Sequence, residues 1–164
     1  MIKKEVINLI IERTGIKQKE LLEKDFILHR LLVELEAHKL FRDNYAFKGG
    51  TCLMKCYFGY YRFSEDLDFT FISQKEFEKK SESQIRKIIS EKINNISKIV
   101  EEISKKIGLD FKPDKKDHRH FEFGGGNKFT TMKLWYTPED SKKETYIKVF
   151  ARNPNLLRGG WIAQ

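Results

Sequence analysis

Cysteine and proline are scarce in this chain, with two Cys and three Pro among 164 residues. Cys52 and Cys56 lie four apart on what reads as one helix. That spacing favours neither a disulfide framework nor a zinc knuckle, and both are expected to be small, reduced core residues. No apolar run approaches the ~20 residues needed to span a bilayer. The N-terminus, Met1-Ile2-Lys3-Lys4-Glu5, passes straight into a polar helical pattern without a signal peptide. A cytoplasmic protein with no membrane partner is therefore expected. A Walker-type Gly-Lys-Ser/Thr is also missing, which disfavours a P-loop NTPase, and there is no Gly-x-Ser-x-Gly elbow.

What is present suffices for a packed core. Apolar residues make up 40% and aromatics 13% of the chain, and its length suits one domain. Lys and Arg number 32 against 24 Asp and Glu, a formal net charge of +8. An anionic partner such as nucleic acid or nucleotide would explain that excess, and so would a lysine-rich solvated surface; charge alone does not choose.

Apolar spacing predicts helices over residues 2–13 and 17–41, a turn at Asp43-Asn44, and a short strand, Tyr45 to Lys48, ending at Gly49-Gly50. A helix over 51–60 follows, with Leu53, Met54, Tyr57 and Phe58 as its buried side, then a strand over 66–72 and a long helical stretch over 74–107. Beyond Gly108 the texture is β, with strands expected at 109–111, 119–123, 128–136 and 145–150. The fold class is α+β, a mixed sheet flanked by helices. N-terminal helices (1–44) lead into a core (45–152) and an irregular tail (153–164).

The chemistry concentrates between Lys48 and Phe71. Asp66 and Asp68 stand two apart on a predicted strand, so their carboxylates leave one face while Leu67 and Phe69 leave the other. Paired carboxylates repel unless a cation lies between them, and oxygen-only ligands suit Mg²⁺ or Mn²⁺. Gly49 and Gly50 end a strand and open a helix, where backbone N–H groups can approach a phosphate. Thr51 can cap that helix and offer its hydroxyl to the same phosphate. A Gly-Gly turn or an Asp-x-Asp alone is commonplace. Their succession, with Arg62 and Ser64 just before the acids, is what nucleotidyl transfer requires.

Lys48-Gly49-Gly50-Thr51-Cys52-Leu53, then Tyr57, then Arg62-Phe63-Ser64-Glu65-Asp66-Leu67-Asp68-Phe69 resembles the signature of the AbiEii/AbiGii toxin family of nucleotidyltransferases. Upstream, Glu23-Lys24-Asp25-Phe26 with Leu31-Leu32 resembles the helix preceding that signature. The resemblance covers the first half clearly and the following sheet more loosely. It implies the DNA polymerase β-type fold, a divalent metal, an NTP donor, and a toxin of a toxin–antitoxin or abortive-infection phage-defence system. The implied acceptor is a nucleic acid, tRNA in related members, and the implied partner an antitoxin protein or transcript.

By that resemblance Asp66 and Asp68 are the metal ligands, and Gly49, Gly50, Thr51 and Ser64 face the nucleotide. Lys148, in Tyr146-Ile147-Lys148-Val149, balances triphosphate charge; read alone, it is an outward-facing strand lysine. Family members carry an acid two positions after that lysine, where this chain has Phe150, so Glu122 or Glu144 would have to serve or the site is weakened. Relatives also continue into a C-terminal helical domain that this chain lacks. These departures keep a second expectation open: a degenerate transferase fold that binds nucleotide, RNA or antitoxin without turnover. In the stretch 112–120, solvated loop charges and an RNA-tracking strip are the two readings, with Phe121 and Phe123 expected in the core.

Overall fold

The structure is a computed structural model describing residues 4–15, 18–58, 63, 65–73, 75–124 and 129–152, with residues 4, 14, 54 and 58 as backbone only. Helices α1 (Lys4–Thr14), α2 (Lys19–Ala37) and α3 (Lys39–Asn44) precede strand β1 (Tyr45–Lys48). A short helix α4 (Gly49–Cys52) widens into a π-type turn (Leu53–Phe58), and β2 (Asp66–Phe71) follows. After a 3-10 turn (Lys75–Phe77) come α5 (Glu82–Ile107), β3 (Phe121–Gly124), β4 (Phe129–Tyr136) and β5 (Thr145–Arg152).

Among the described residues the strands form one mixed sheet in the order β1-β2-β5-β4-β3, with β2 and β5 parallel and the other pairs antiparallel. Leu67, Phe69 and Phe71 alternate with Asp66, Asp68 and Thr70, and only the apolar set is buried. Ile147 and Val149 of β5 and Met132 and Leu134 of β4 join that buried face. Leu28, Leu31 and Leu35 of α2 and the isoleucine stripe of α5 (Ile89, Ile93, Ile96, Ile103) close the core with them. Helix α5 is fixed at both ends: Ser81 and Gln84 form a reciprocal capping box, and Gly108 ends the helix at φ +83°.

Several boundaries differ from expectation for local reasons. The second predicted helix breaks at His38, whose extended backbone (φ −81°, ψ 109°) redirects the chain into α3. That turn carries Phe41 into the core, stacked on Tyr45 and edge-on to Phe69. The segment 109–111 makes one bridge, Asp110 to Trp135, rather than a strand. Strand β3 starts at Phe121 because Asp114 and Asp117 hold turns ahead of it, their carboxylates accepting the N–H of Lys116 and Arg119 at 2.9 Å each. Phe121 is core, but Phe123 is exposed. In the π-type turn Leu53 and Tyr57 face solvent, the latter 74% exposed, contrary to the expected buried side. Cys52 is half-buried and Cys56 exposed, both as free thiols, so the expected core role fails for Cys56. No helix among the described residues is long and apolar enough to cross a membrane.

One buried acid makes stability depend on pH. Glu23 of α2 is 3% exposed and accepts the Glu139 N–H at 3.2 Å, tying the loop after β4 to the helix. Burial raises its carboxyl above the ordinary range, against the lowering effect of that amide. The native state therefore keeps the proton at pH values where the unfolded chain has lost it. Stability falls as pH climbs from the ordinary carboxylate range through the raised value. Glu23→Gln is expected to flatten this slope and to raise Tm at neutral pH by about 1–3 °C. Thermal unfolding across acidic and neutral pH checks this; identical slopes for both proteins would contradict it.

Candidate active site

The sheet face opposite the core gathers the polar side chains that sequence reading singles out. Register pairs Asp66 with Lys148 and Asp68 with Phe150 across the parallel β2–β5 junction, and Lys48 with Asp68 across β1–β2. Period-2 alternation therefore sets Asp66, Asp68, Lys148, Phe150 and Arg152 on one surface. Helix α4 lies against β2 there. The Thr51 hydroxyl donates to Asp66 Oδ1 at 3.2 Å. Thr51 is buried and does not cap α4, whose cap residue, Lys48, offers no side-chain cap.

Gly49 is where turn and acids meet. Its φ of +77° is left-handed, and a Cβ built there would stand 2.9 Å from Asp68 Oδ2 and 3.0 Å from Asp68 Cβ. Only glycine permits both the turn and this approach. Gly49 and the Asp68 carboxylate are thus immediate neighbours, as Thr51 and Asp66 are.

An open cleft of about 500 Å³ lies at the Asp66 end of the face, lined by Lys24, Thr51, Phe63, Glu65, Asp66, Thr145, Tyr146 and Lys148. Lys24, from α2, donates to Glu65 at 3.1 Å across its rim. At the other end Arg152 grips Asp68 with both prongs of its fork, Nε to Oδ1 at 3.2 Å and Nη2 to Oδ2 at 3.3 Å. Burial, followed by the charge of Arg152, lowers the Lys48 amine, and Asp68 opposes that shift.

Lys24 and Arg152 escape the sequence reading. Arg152 continues the alternation Lys148, Phe150, Arg152, so extending the predicted strand by two residues would have found it. Lys24 carries a weaker signal: it stands in helical sequence between two acids that prove to be buried, Glu23 and Asp25. Ser64 and Arg62 lie outside the described residues.

No acid takes the place of Phe150 among the described residues. Glu122 is ion-paired with Lys133 at 3.0 Å, on a strand three positions from β2 in the sheet and hence roughly 14 Å away. Glu144 is held by Arg119 at 3.0 Å. Among the described residues no group of three His, Cys, Asp or Glu is placed to hold a metal ion. His120 is buried, its ring facing the Lys133 carbonyl and the carboxylates of Asp110 and Asp117. The donor set at Asp66 and Asp68 is nonetheless suited to Mg²⁺ or Mn²⁺, which bind through one or two carboxylates and complete their shell with water and phosphate oxygens.

A five-stranded mixed sheet flanked by helices, with paired aspartates on its open face beside a glycine turn, defines the core of a nucleotidyltransferase. The family model described as nucleotidyl transferase AbiEii toxin, type IV TA system, matches residues 30–149. The chain belongs to this family of nucleotidyltransferase toxins. No curated protein matches it. Among solved structures it is similar to JHP933 from Helicobacter pylori, with 20% identity and a TM-score of 0.45, covering 83% of this chain and 45% of that one. The chain thus spans less than half the length of that protein.

Proposed function

We infer that this protein transfers a nucleoside monophosphate from an NTP to a nucleic-acid acceptor, tRNA above all, with release of pyrophosphate, as the toxin of a toxin–antitoxin pair. The observation that supports this most is the close packing of Asp68 on Gly49 and the hydrogen bond from Thr51 to Asp66. In this reading Asp66 and Asp68 hold a Mg²⁺ or Mn²⁺ ion. Bound there, the ion supplies positive charge for the triphosphate oxygens. Lys148 and Lys24 line the same cleft and provide cations for the phosphates that leave. Gly49, Gly50 and Thr51 form the turn side of the nucleotide site, and Ser64 is assigned to the nucleotide by sequence resemblance alone.

The test is direct. Purified protein incubated with each labelled NTP, Mg²⁺ and total RNA is expected to label RNA in the tRNA size range and to release pyrophosphate in equal amount. Absence of both with every NTP would remove the catalytic reading.

Phe150 favours one alternative, a fold that binds nucleotide, RNA or antitoxin without turnover, since an aromatic ring beside Asp68 cannot ligate an ion. Calorimetric titration with NTP and Mn²⁺ separates the two. Metal-dependent binding with no product supports the alternative, and turnover ends it.

A further inference from the structure

We propose that Arg152 is a built-in counter-ion of Asp68, which a divalent cation must displace and which then turns to the nucleotide, so that metal and triphosphate are taken up together rather than separately. The inference rests on the nucleotidyltransferase reading of the site and concerns the order and coupling of binding.

The two aspartates are not equivalent. Asp66 faces the cleft and receives a hydrogen bond from a neutral hydroxyl, that of Thr51. Asp68 has both carboxylate oxygens engaged by one guanidinium in the planar two-point geometry that suits this pair best. Its side chain is 17% exposed, whereas that of Arg152 is 52% exposed. The carboxylate is therefore the more enclosed partner, and the cation stands half in solvent, where water can solvate it on release. Phe150 beside Asp68 leaves no further carboxylate in the β5 register, and Asp68 stands between two cations, Arg152 on one side and Lys48 in register on the other.

That balance determines what can bind. A divalent ion arriving alone finds Asp66 open but must compete with Arg152 for Asp68, with Lys48 as a further cationic neighbour. A triphosphate arriving with the ion reverses the situation. The anion compensates both cations, and Gly49, packed so closely on Asp68 that no Cβ fits between them, sets the phosphate-facing turn beside the carboxylate that Arg152 holds. Each ligand then raises the affinity of the other by the same factor.

The experiment measures binding, not turnover. Free Mn²⁺ is followed by electron paramagnetic resonance, with and without a non-hydrolysable α,β-methylene NTP, in wild type, Arg152→Gln, Arg152→Lys and Asp68→Asn. Arg152→Gln is expected to bind Mn²⁺ alone about five- to tenfold more tightly than wild type and to lose most of the tightening that nucleotide brings. Arg152→Lys, which keeps the charge but not the fork, is expected to fall between the two and covers the case in which the Gln variant is unstable. Wild-type values in both Arg152 variants would overturn the proposal while leaving the metal site intact. If Asp68→Asn binds Mn²⁺ as wild type does, the site reading itself fails and the proposal falls with it. The two failures are thus distinguishable.

Discussion

Asp66→Asn and Asp68→Asn are each expected to lower transfer of label from NTP to RNA by about a thousandfold with little change in Tm, a loss of roughly 4 kcal/mol in barrier lowering. The amide keeps the size and shape of the carboxylate but not its charge, so packing survives while the attraction for a divalent ion does not. In Asp66→Asn the amide oxygen can still accept the Thr51 hydroxyl hydrogen bond seen at 3.2 Å. Asp68→Asn releases Arg152, but that side chain is half exposed and remains hydrated. The fold should thus hold in both, and unfolding curves recorded beside the transfer assay verify it. Wild-type labelling by either variant would take that residue out of the mechanism. A Tm fall of many degrees would instead mean that the acid is structural.

Gly49→Ala is expected to damage stability and site together. Two costs add. Alanine at φ +77° must adopt a left-handed backbone, at about 1–2 kcal/mol. Its Cβ also meets Asp68 Cβ at 3.0 Å and Oδ2 at 2.9 Å, and overpacking of this kind costs about 1–3 kcal/mol. The carboxylate cannot simply turn aside, because Arg152 holds both its oxygens. A loss of roughly 2–5 kcal/mol corresponds to a Tm fall of about 5–15 °C for a domain of this size. Gly15→Ala is the matched control: its φ is also positive, at +70°, but nothing lies within 4 Å of its Cβ. Only the backbone cost is expected there. Equal Tm values for the two variants would show that the contact with Asp68 adds nothing.

Much of the sheet is readable because burial imposes a period. In β2 the alternation of acid and apolar residues directly records one wet and one dry face, and the structure shows the same alternation in exposure. The isoleucine spacing of α5 is equally legible, since one helix stripe packs on the core. The failures fall where local chemistry and not periodicity decides. His38 breaks a helix without a Gly or Pro to announce it, because Phe41 gains a stacked position by the change of direction. Tyr57 and Leu53 read as a buried stripe under an α-helical period, but the wider π-type turn directs them outward. At the site, Asp66, Asp68 and Gly49 stand out because they lie close in sequence within a short motif. Arg152 does not, since its partner stands 84 positions away and only the strand register reveals the meeting.

The position of β5 has a consequence for the order in which the protein comes into being. The last described strand is not an edge: it inserts between β2 and β4 and supplies Lys148 and Arg152 to the aspartate-bearing strand. A ribosome that has delivered β1 to β4 has made the aspartates and the glycine turn but not the strand that completes their surface. Until residue 152 has emerged, a nascent chain holds an unfinished centre, and such distant pairing is slow to form. The face that carries the aspartates is thus completed last, by the strand that the ribosome delivers after the other four.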